Sequence, residues 1–187
     1  MTVARELETT SEEEYLKGEL LSQVKHEYVA GRVYAMSGGS ANHSGVASNF
    51  IRNVVGCTPG RRCRTFTGDL SVRIEQAFGV TYYYPDASVV CSPVDGDSQF
   101  TTEPVVVLEV LSPSTRRVDE TSKLQGYLTL ESLQVCLLAE SDRPLVTVYR
   151  RMGDHFAVEV YEGRDAEIPL AGIGTVLSLA DLYDGIE

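Results

Sequence analysis

The sequence predicts an α/β fold, a central mixed β-sheet flanked by helices, with an added β-hairpin. The first observation is the run Pro104–Leu111, which is apolar and rich in β-branched residues, as expected of a strand buried on both faces. The second is the order of patterns after it. A helical stretch and another apolar run at 133–140 predict two parallel strands joined by a right-handed crossover. The third is a pair of turn-separated segments, 145–151 and 155–161, which predicts a late hairpin.

Length and composition limit the possibilities further. The chain has 187 residues, of which 43% are hydrophobic, and we expect one globular domain over residues 11–187 after a loose arm at 1–10. No apolar run approaches the length of a membrane span, and the first residues do not form a signal peptide, so we expect a soluble cytoplasmic protein. The net charge of −11 argues against a surface that coats nucleic acid, although it leaves room for a local basic groove.

Four cysteines occur, and none of them forms a C-x-x-C pair, which argues against a structural zinc site. We expect them to be small, buried hydrophobic residues in a reducing compartment. Cys57 and Cys63 flank a turn and could pair if oxidised.

The first expected elements are a helix and a hairpin. Ser11 and Glu14 have the spacing of a capping box, which predicts the start of the helix. Its inner side is expected to consist of Tyr15, Leu16, Leu20 and Val24. Alternating segments on either side of residues 30–31 predict the hairpin. Glu27 lies in its first strand, where spacing alone indicates an exposed acid at a strand end.

A second helix is expected from residue 41 to residue 55, because two adjoining apolar stripes recur there at helical spacing. His43 lies in its first turn, where a lone histidine is more often a surface or capping side chain than a catalyst. Arginines cluster around the turn that follows, at Arg52, Arg61, Arg62, Arg64 and Arg73. They are either solvated loop charges or contacts for phosphate near a site, and the sequence does not decide between the two.

The next two strands are expected to form a hairpin, at 70–75 and 81–91. Pro85 cannot donate a hydrogen bond to a strand ladder, so it marks a bulge or an edge position that redirects the next side chain, Asp86. Asp69 stands just ahead of the first of these strands, and its role is left open.

Glu109 is the one carboxylate in the run Pro104–Leu111. An ionised carboxylate buried there needs a metal, another cation or a proton. Because side chains alternate along a strand, Glu109 shares one face with Val105, Val107 and Leu111.

Lys123 lies in the helix that follows, expected at about 115–130. Its spacing from Asp119 is that of an i,i+4 ion pair, so a salt bridge on the helix surface is one interpretation. The other is an amine that reaches Asp86 and Glu109, since two acids and a lysine suit a divalent cation and an activated water.

These segments together resemble the Uma2 family of endonucleases, which is part of the PD-(D/E)XK, or restriction-endonuclease-like, superfamily. The resemblance is carried by residues 84–90, by 107–115 with Lys123 in the helix after them, by 27–36, by 68–73 and by 177–183. It covers the chain from about Ser11 onward.

The resemblance implies a restriction-endonuclease-like core and metal-dependent hydrolysis of DNA phosphodiester bonds. Asp86 and Glu109 would hold the ion, Mg²⁺ or Mn²⁺, and Glu27 and Lys123 would complete the catalytic set. The chain departs from the superfamily motif at Leu111, which stands where a lysine is usual, and Lys123 resembles that lysine relocated to the helix. The resemblance also implies a homodimer.

Two functions therefore compete. The first is a metal-dependent DNA endonuclease. The alternative is a catalytically inactive nuclease fold that serves as a binding or regulatory protein, which the net negative charge favours. No G-x-S-x-G elbow, P-loop or Rossmann glycine pattern occurs, so nothing supports acyl transfer or nucleotide-cofactor binding.

Overall fold

The computed structural model describes residues 9–36, 38–54, 63–113 and 116–186. Most of the expected arm at 1–10 lies outside these ranges. Cys57, Arg61 and Arg62 lie outside them as well.

The described ranges contain thirteen strands, five α-helical segments and two other helical turns. In chain order they are α1 (Glu12–Leu21), β1 (His26–Val29), β2 (Arg32–Ala35), α2 (Ala41–Val54), β3 (Arg64–Thr67), β4 (Ser71–Gln76), β5 (Gly79–Tyr83), β6 (Ala87–Val90), β7 (Phe100–Thr101), β8 (Pro104–Leu111), α3 (Arg116–Val118), a π-helical turn (Asp119–Lys123), α4 (Leu124–Leu128), β9 (Val135–Glu140), β10 (Leu145–Met152), β11 (His155–Glu162), β12 (Glu167–Leu170), a 3₁₀ turn (Ala171–Ile173), β13 (Thr175–Ser178) and α5 (Leu179–Leu182). None of the described helices is long and apolar enough to cross a membrane.

The central sheet has six strands in the order β11-β10-β9-β8-β6-β3. β8 and β9 are parallel and the other neighbouring pairs are antiparallel, so the sheet is mixed. The predicted parallel crossover and the predicted late hairpin, β10–β11, are both confirmed. β8 is buried along nearly its whole length, because α2, α5 and the hairpin β12–β13 cover one face and α4 packs on the other.

A second sheet has five strands in the order β2-β1-β5-β4-β7. Ile74 and Tyr83 of this sheet pack against Tyr127 of α4, so α4 lies between the two sheets. Gly126 permits this close approach, because a Cβ atom there would lie 3.2 Å from Ile74 Cδ1 and 3.3 Å from Tyr83 Cε2. The residues that face α4 from both sheets therefore meet around one helix.

The capping box of α1 is confirmed. The Ser11 hydroxyl accepts the N–H of Glu14 at 3.2 Å, and the Glu14 carboxylate accepts the N–H of Ser11 at 2.9 Å. Tyr15 packs on the second sheet as expected. The expectation that Leu20 and Val24 lie inside is wrong, since they are 67% and 51% exposed. Val24 lies beyond the end of α1 at Leu21, and α1 contacts the sheet through Tyr15 and Glu19, whereas Leu20 lies on its exposed side.

The strand expected at 81–91 is two strands, and they belong to different sheets. β5 pairs with β4 in the second sheet, as the predicted hairpin requires, whereas β6 pairs with β8 in the central sheet. The chain crosses from one sheet to the other at Pro85, which cannot donate to a strand ladder. Asp86 consequently stands at the junction of the two sheets.

The start of β8 carries a bulge. Pro104 pairs with Val90 and Val106 pairs with Val89, so Val105 is an extra residue without a partner in that ladder. Val105 packs against the core residues that include Val106 and Leu108, on the face of β8 opposite to Glu109. The expectation that these two side chains share a face is therefore wrong, because the bulge interrupts the alternation.

Two cysteines differ from the expectation. Cys63 and Cys91 form a disulfide in this structure, whereas Cys136 is a free, buried thiol. Antiparallel pairing of Arg64 with Val90 sets the two bridged cysteines opposite each other just beyond the strand ends. The expectation of reduced cysteines is wrong for this pair, and the partner of Cys63 is Cys91 rather than Cys57.

Candidate active site

Glu109 leaves β8 on the face that carries α4. Only 2% of the residue is exposed, and the Tyr127 hydroxyl donates to Glu109 Oε1 at 2.8 Å. Burial raises the pKa of Glu109 well above its usual range, the Lys123 ammonium opposes this, and the carboxylates of Asp86 and Asp119 add to it. Ionising Glu109 is therefore costly unless a cation is close.

Lys123 brings a positive charge to Glu109. Its Nζ lies 2.8 Å from Glu27 Oε1, 3.2 Å from Asp119 Oδ1 and 3.5 Å from Glu109 Oε1. Burial alone would lower the pKa of Lys123, but the carboxylates of Glu109, Glu27 and Asp119 raise it above its usual value. The lysine is thus held as a buried cation among three acids.

The π-helical turn, Asp119–Lys123, explains why this lysine lies inside. A single π turn within an α-helix changes the face that the following residues present, and such turns often occur at functional sites. Here both ends of the turn, Asp119 and Lys123, are buried. The i,i+4 pair inferred from the sequence therefore exists, but its interpretation as a surface salt bridge is wrong.

Glu27 comes to the same place from the second sheet. It lies on β1, which is paired on both sides, by β2 and by β5. Its side chain is only 13% exposed because it faces the π-helical turn and contacts Lys123. The spacing-based interpretation of Glu27 as an exposed strand-end acid is wrong for this reason.

Asp86 reaches the site from the crossing between the two sheets. The pairing of β6 with β8 ends at Ala87 and Leu108. Beyond this pair, Asp86 Oδ2 accepts the N–H of Val110 at 2.7 Å, a backbone group that a neighbouring strand would otherwise bind. The same oxygen lies 3.3 Å from His43 Nε2. Asp86 is thereby fixed by both a backbone donor and a ring nitrogen.

His43 is a site residue that the sequence interpretation missed. Its side chain is 16% exposed and contacts Asp86, so the expectation of a surface or capping histidine is wrong. The hydrogen bond to Asp86 raises the pKa of His43 and outweighs the opposing effect of burial. Gly39 allows this placement, because a Cβ atom there would lie 2.5 Å from His43 Nδ1. The glycines ahead of α2 were the signal available in the sequence.

A small cavity of about 50 Å³ joins most of these groups, since His43, Asp86, Glu109, Asp119 and Lys123 all line it. Glu27 does not line this cavity but contacts Lys123 from a neighbouring, larger one. The structure thus brings together all four residues selected from the sequence and adds His43, Asp119 and Tyr127 to them.

The charges of this cluster do not balance. Three carboxylates, those of Glu27, Glu109 and Asp119, contact one lysine, and the carboxylate of Asp86 lines the same small cavity as Lys123. The buried oxygens Glu27 Oε1 and Asp119 Oδ1 are in ion-pair contact with Lys123 Nζ but have no well-aligned hydrogen bond. Buried anions in excess of cations are unfavourable, so the cluster favours a further positive charge.

A divalent ion fits the chemistry of this donor set. Carboxylate oxygens are the ligands that Mg²⁺ and Mn²⁺ prefer in proteins. Among the described residues, however, no three acidic, histidine or cysteine side chains are already arranged around an ion position. The Lys123 ammonium lies among three of the acids instead, so ion binding there has to compete with its contacts.

The described arginines of the cluster have partners within the protein. Arg52 pairs with Asp184 at 3.2 Å, and Arg73 pairs with Glu12 at 2.7 Å. Arg64 lies over an aromatic ring, with its Cζ 4.9 Å from the centroid of Phe66. None of the three lines the small cavity.

Asp69 lies in the turn between β3 and β4, away from the small cavity. It pairs with Lys25 and accepts the hydroxyl of Thr67 at 3.0 Å. The neighbouring Gly68 packs against the backbone of Pro85, where a Cβ atom would lie 3.3 Å from the carbonyl oxygen. These contacts support the turn beside Asp86.

Two Synechocystis proteins are similar to the chain along most of its length. It is 35% identical to "Uncharacterized protein slr1290" over 178 residues, which is 94% of this chain and 92% of that protein. It is 30% identical to "Uncharacterized protein sll1609" over 159 residues, which is 83% of this chain and 89% of that protein.

The fold and the family are both recognisable in known proteins. A crystal structure from Anabaena variabilis, described as a "putative nuclease belonging to DUF820", matches with a TM-score of 0.69 at 23% identity, covering 87% of this chain and 91% of that one. At this identity the likeness shows that the two chains share a fold, the mixed α/β fold described above. The Uma2 family model, described as "Putative restriction endonuclease", matches residues 12–180. The chain therefore belongs to the Uma2 family.

Proposed function

We propose that this protein is a divalent-metal-dependent endonuclease that hydrolyses phosphodiester bonds of DNA. In this proposal Asp86 and Glu109 hold the ion, Mg²⁺ or Mn²⁺, and Glu27 and Lys123 complete the catalytic set. The observation that carries the proposal is the excess of buried carboxylates over cations around Lys123. Family membership and the nuclease fold support the same reaction class.

The chain's own residues would prepare the site in three ways. The N–H of Val110 and the ring of His43 fix Asp86 Oδ2. Tyr127 fixes Glu109 through its hydroxyl. A divalent ion bound by these two acids would act as a Lewis acid and lower the pKa of a bound water.

Lys123 would act on the phosphate. Once an ion has neutralised part of the acidic cluster, the ammonium can donate a hydrogen bond to a non-bridging phosphate oxygen or orient the attacking water. Hydrolysis forms one bond from the water oxygen to phosphorus and breaks one bridging phosphorus–oxygen bond. One proton of the water passes overall to the leaving oxygen.

The test is a plasmid-nicking assay with Mg²⁺ or Mn²⁺. The unmodified protein, Asp86→Ala and the control Asp154→Ala are compared, because Asp154 is an exposed acid of the turn between β10 and β11 that does not line the cavity. We expect cleavage by the unmodified protein and the control, abolished by chelation and by Asp86→Ala. Cleavage by Asp86→Ala at the unmodified rate would contradict the proposal.

The second candidate is a catalytically inactive nuclease fold that binds or regulates another molecule. The net charge of −11 favours it, since a polyanion is repelled by an acidic surface. It predicts no cleavage with either metal and no stabilisation by either metal in a melting assay.

The proposal also covers the extent of the domain, the oligomeric state and the location of the protein. We propose that residues 11–187 form one domain, supported by the family match over 12–180. A homodimer is expected from the resemblance, and sedimentation of the protein at several concentrations tests it. A cytoplasmic location stays a prediction.

A further inference from the structure

Two cavities adjoin at the candidate site, and they differ in character. The small one, of about 50 Å³, is lined by His43, Asp86 and Glu109. The larger one, of about 430 Å³, is within the size range of pockets that hold small organic ligands. Asp119 and Lys123 line both cavities. A molecule in the larger cavity would therefore touch two of the groups that also line the smaller one, Asp119 and Lys123.

An exposed aromatic side chain forms part of the larger cavity. Tyr34 lies on the edge strand β2, is 48% exposed and lines this cavity. It is the direct cross-strand partner of Glu27, so both side chains stand on the same face about 5 Å apart at Cβ. Val118, 40% exposed, lines the cavity from α3. An aromatic ring and an apolar side chain, those of Tyr34 and Val118, thus line the cavity that also contains Glu27.

The charges of the residues that line the two cavities do not favour binding of double-stranded DNA. Among the described residues that line them, Lys123 is the only lysine or arginine, and three carboxylates already surround it. Proteins that hold duplex DNA through its backbone depend on several cations at the phosphates. Stacking of a base on an aromatic ring does not need such cations and is tolerant of sequence.

We propose that the larger cavity is a nucleobase pocket, in which Tyr34 stacks on one unpaired base of DNA next to the phosphodiester that reaches Asp86 and Glu109. This inference rests on the proposed function and names its substrate class. The substrate is DNA with an unpaired nucleotide, either a single strand or a duplex with an extrahelical base. It also accounts for how a protein with a net charge of −11 can engage a polyanion, because one stacked base replaces part of the missing phosphate contacts.

The test is a binding titration with Ca²⁺ in place of Mg²⁺ and three labelled DNA probes. The probes are a short single strand, its fully paired duplex, and the same duplex with one extrahelical nucleotide. The variants are Tyr34→Ala and Tyr34→Phe, and the control is Phe78→Ala, because Phe78 is 62% exposed but lines neither cavity.

We expect the single strand and the interrupted duplex to bind at least about fivefold more tightly than the paired duplex, because each offers one base that can stack on Tyr34. Tyr34→Ala should weaken binding of these two probes by roughly 5- to 150-fold, the range measured for one stacked base. Tyr34→Phe and Phe78→Ala should bind like the unmodified protein. Equal affinity for all three probes, or no effect of Tyr34→Ala, would overturn the inference.

The nicking assay separates this inference from the proposed function. Cleavage that needs the metal and Asp86, but proceeds equally on paired duplex and in Tyr34→Ala, would retain the proposed function and overturn the nucleobase pocket. Binding that depends on Tyr34, without any metal-dependent cleavage, would retain the pocket and overturn the endonuclease activity.

Discussion

The ammonium of Lys123 lies 2.8 Å from Glu27 Oε1, and this contact joins the first strand of the second sheet to the π-helical turn that follows β8. Both side chains are mostly buried. Because Lys123 also contacts Glu109 of the central sheet, one side chain connects the two sheets electrostatically. The candidate site is thus part of the interior of the fold.

Removing the amine should destabilise the protein strongly. In Lys123→Met, three buried carboxylates lose the cation they surround, and breaking a buried ion pair from one side costs about 3–5 kcal/mol. We expect a correspondingly lower free energy of unfolding by urea titration in chelator, and partial recovery on adding Mn²⁺.

Lys17→Met is the matched control for this change. Lys17 pairs with Glu13 at 2.6 Å with the same i,i+4 spacing as Lys123 and Asp119, but both partners are highly exposed. Exposed pairs contribute little, so this variant should unfold almost like the unmodified protein. Equal losses in the two lysine variants would contradict the inferred role of the buried charge.

Tyr127→Phe should weaken both folding and ion binding. The hydroxyl donates to Glu109 Oε1 at 2.8 Å, and leaving a buried acceptor without its donor costs about 1–3 kcal/mol. Tyr15→Phe is the comparison, since its hydroxyl donates to the backbone carbonyl of His26 at 2.7 Å rather than to a carboxylate of the site. Calorimetric titration with Mn²⁺ should show reduced affinity in Tyr127→Phe only. The same affinity in both variants would show that Tyr127 does not orient Glu109 for an ion.

Stability without metal should fall as the pH rises. Burial raises the pKa of Glu109 above its unfolded value, so the folded protein holds that proton more tightly than the unfolded chain. Ionising it from about pH 5 upward therefore removes folding free energy. The Lys123 ammonium and the Tyr127 hydrogen bond lower the pKa of Glu109 and so reduce this loss of stability. The carboxylates of Asp86 and Asp119 raise that pKa and so increase the loss.

The measurement is urea unfolding in chelator across this pH range for the unmodified protein and Glu109→Gln. The variant lacks the titrating group, so its stability should decline less as the pH rises. Parallel stability curves for the two proteins would mean that Glu109 does not change its ionisation in this range.

The disulfide gives a prediction that does not involve the site. The disulfide joins Cys63 to Cys91, which are 28 positions apart in the sequence. Such a bridge typically contributes about 2–4 kcal/mol to the free energy of unfolding. We expect oxidised protein to melt at a higher temperature than protein treated with reductant, and peptide mapping to recover the Cys63–Cys91 link. Recovery of a Cys57–Cys63 link instead would contradict the Cys63–Cys91 disulfide.

Several parts of this architecture could be predicted from the sequence because they depend on local patterns. Apolar runs and turn residues predicted the central strand, the crossover and the late hairpin. Asp86 and Glu109 were recognisable as single acids within apolar segments. The spacing of Lys123 from Asp119 favoured an exposed pair, and the family resemblance identified Lys123 as a site residue.

The remaining features depend on packing between distant segments. The π-helical turn that brings Asp119 and Lys123 inside has no marker in the i,i+4 spacing. His43 reaches Asp86 only because α2 packs beside the crossing between the sheets. The change of sheet at Pro85 could not be distinguished from a bulge, since both are places where a strand lacks one hydrogen-bond donor.

We propose that a divalent ion neutralises the acids at Asp86 and Glu109, of which Glu109 is buried and Asp86 is partly exposed. Anomalous diffraction from crystals grown with Mn²⁺ tests it most directly. We predict an anomalous peak about 2.0–2.4 Å from a carboxylate oxygen of each residue, with the Lys123 ammonium displaced from at least one of its acidic partners. No peak between Asp86 and Glu109 at saturating Mn²⁺, with Lys123 still in contact with Glu27, Glu109 and Asp119, would contradict the account.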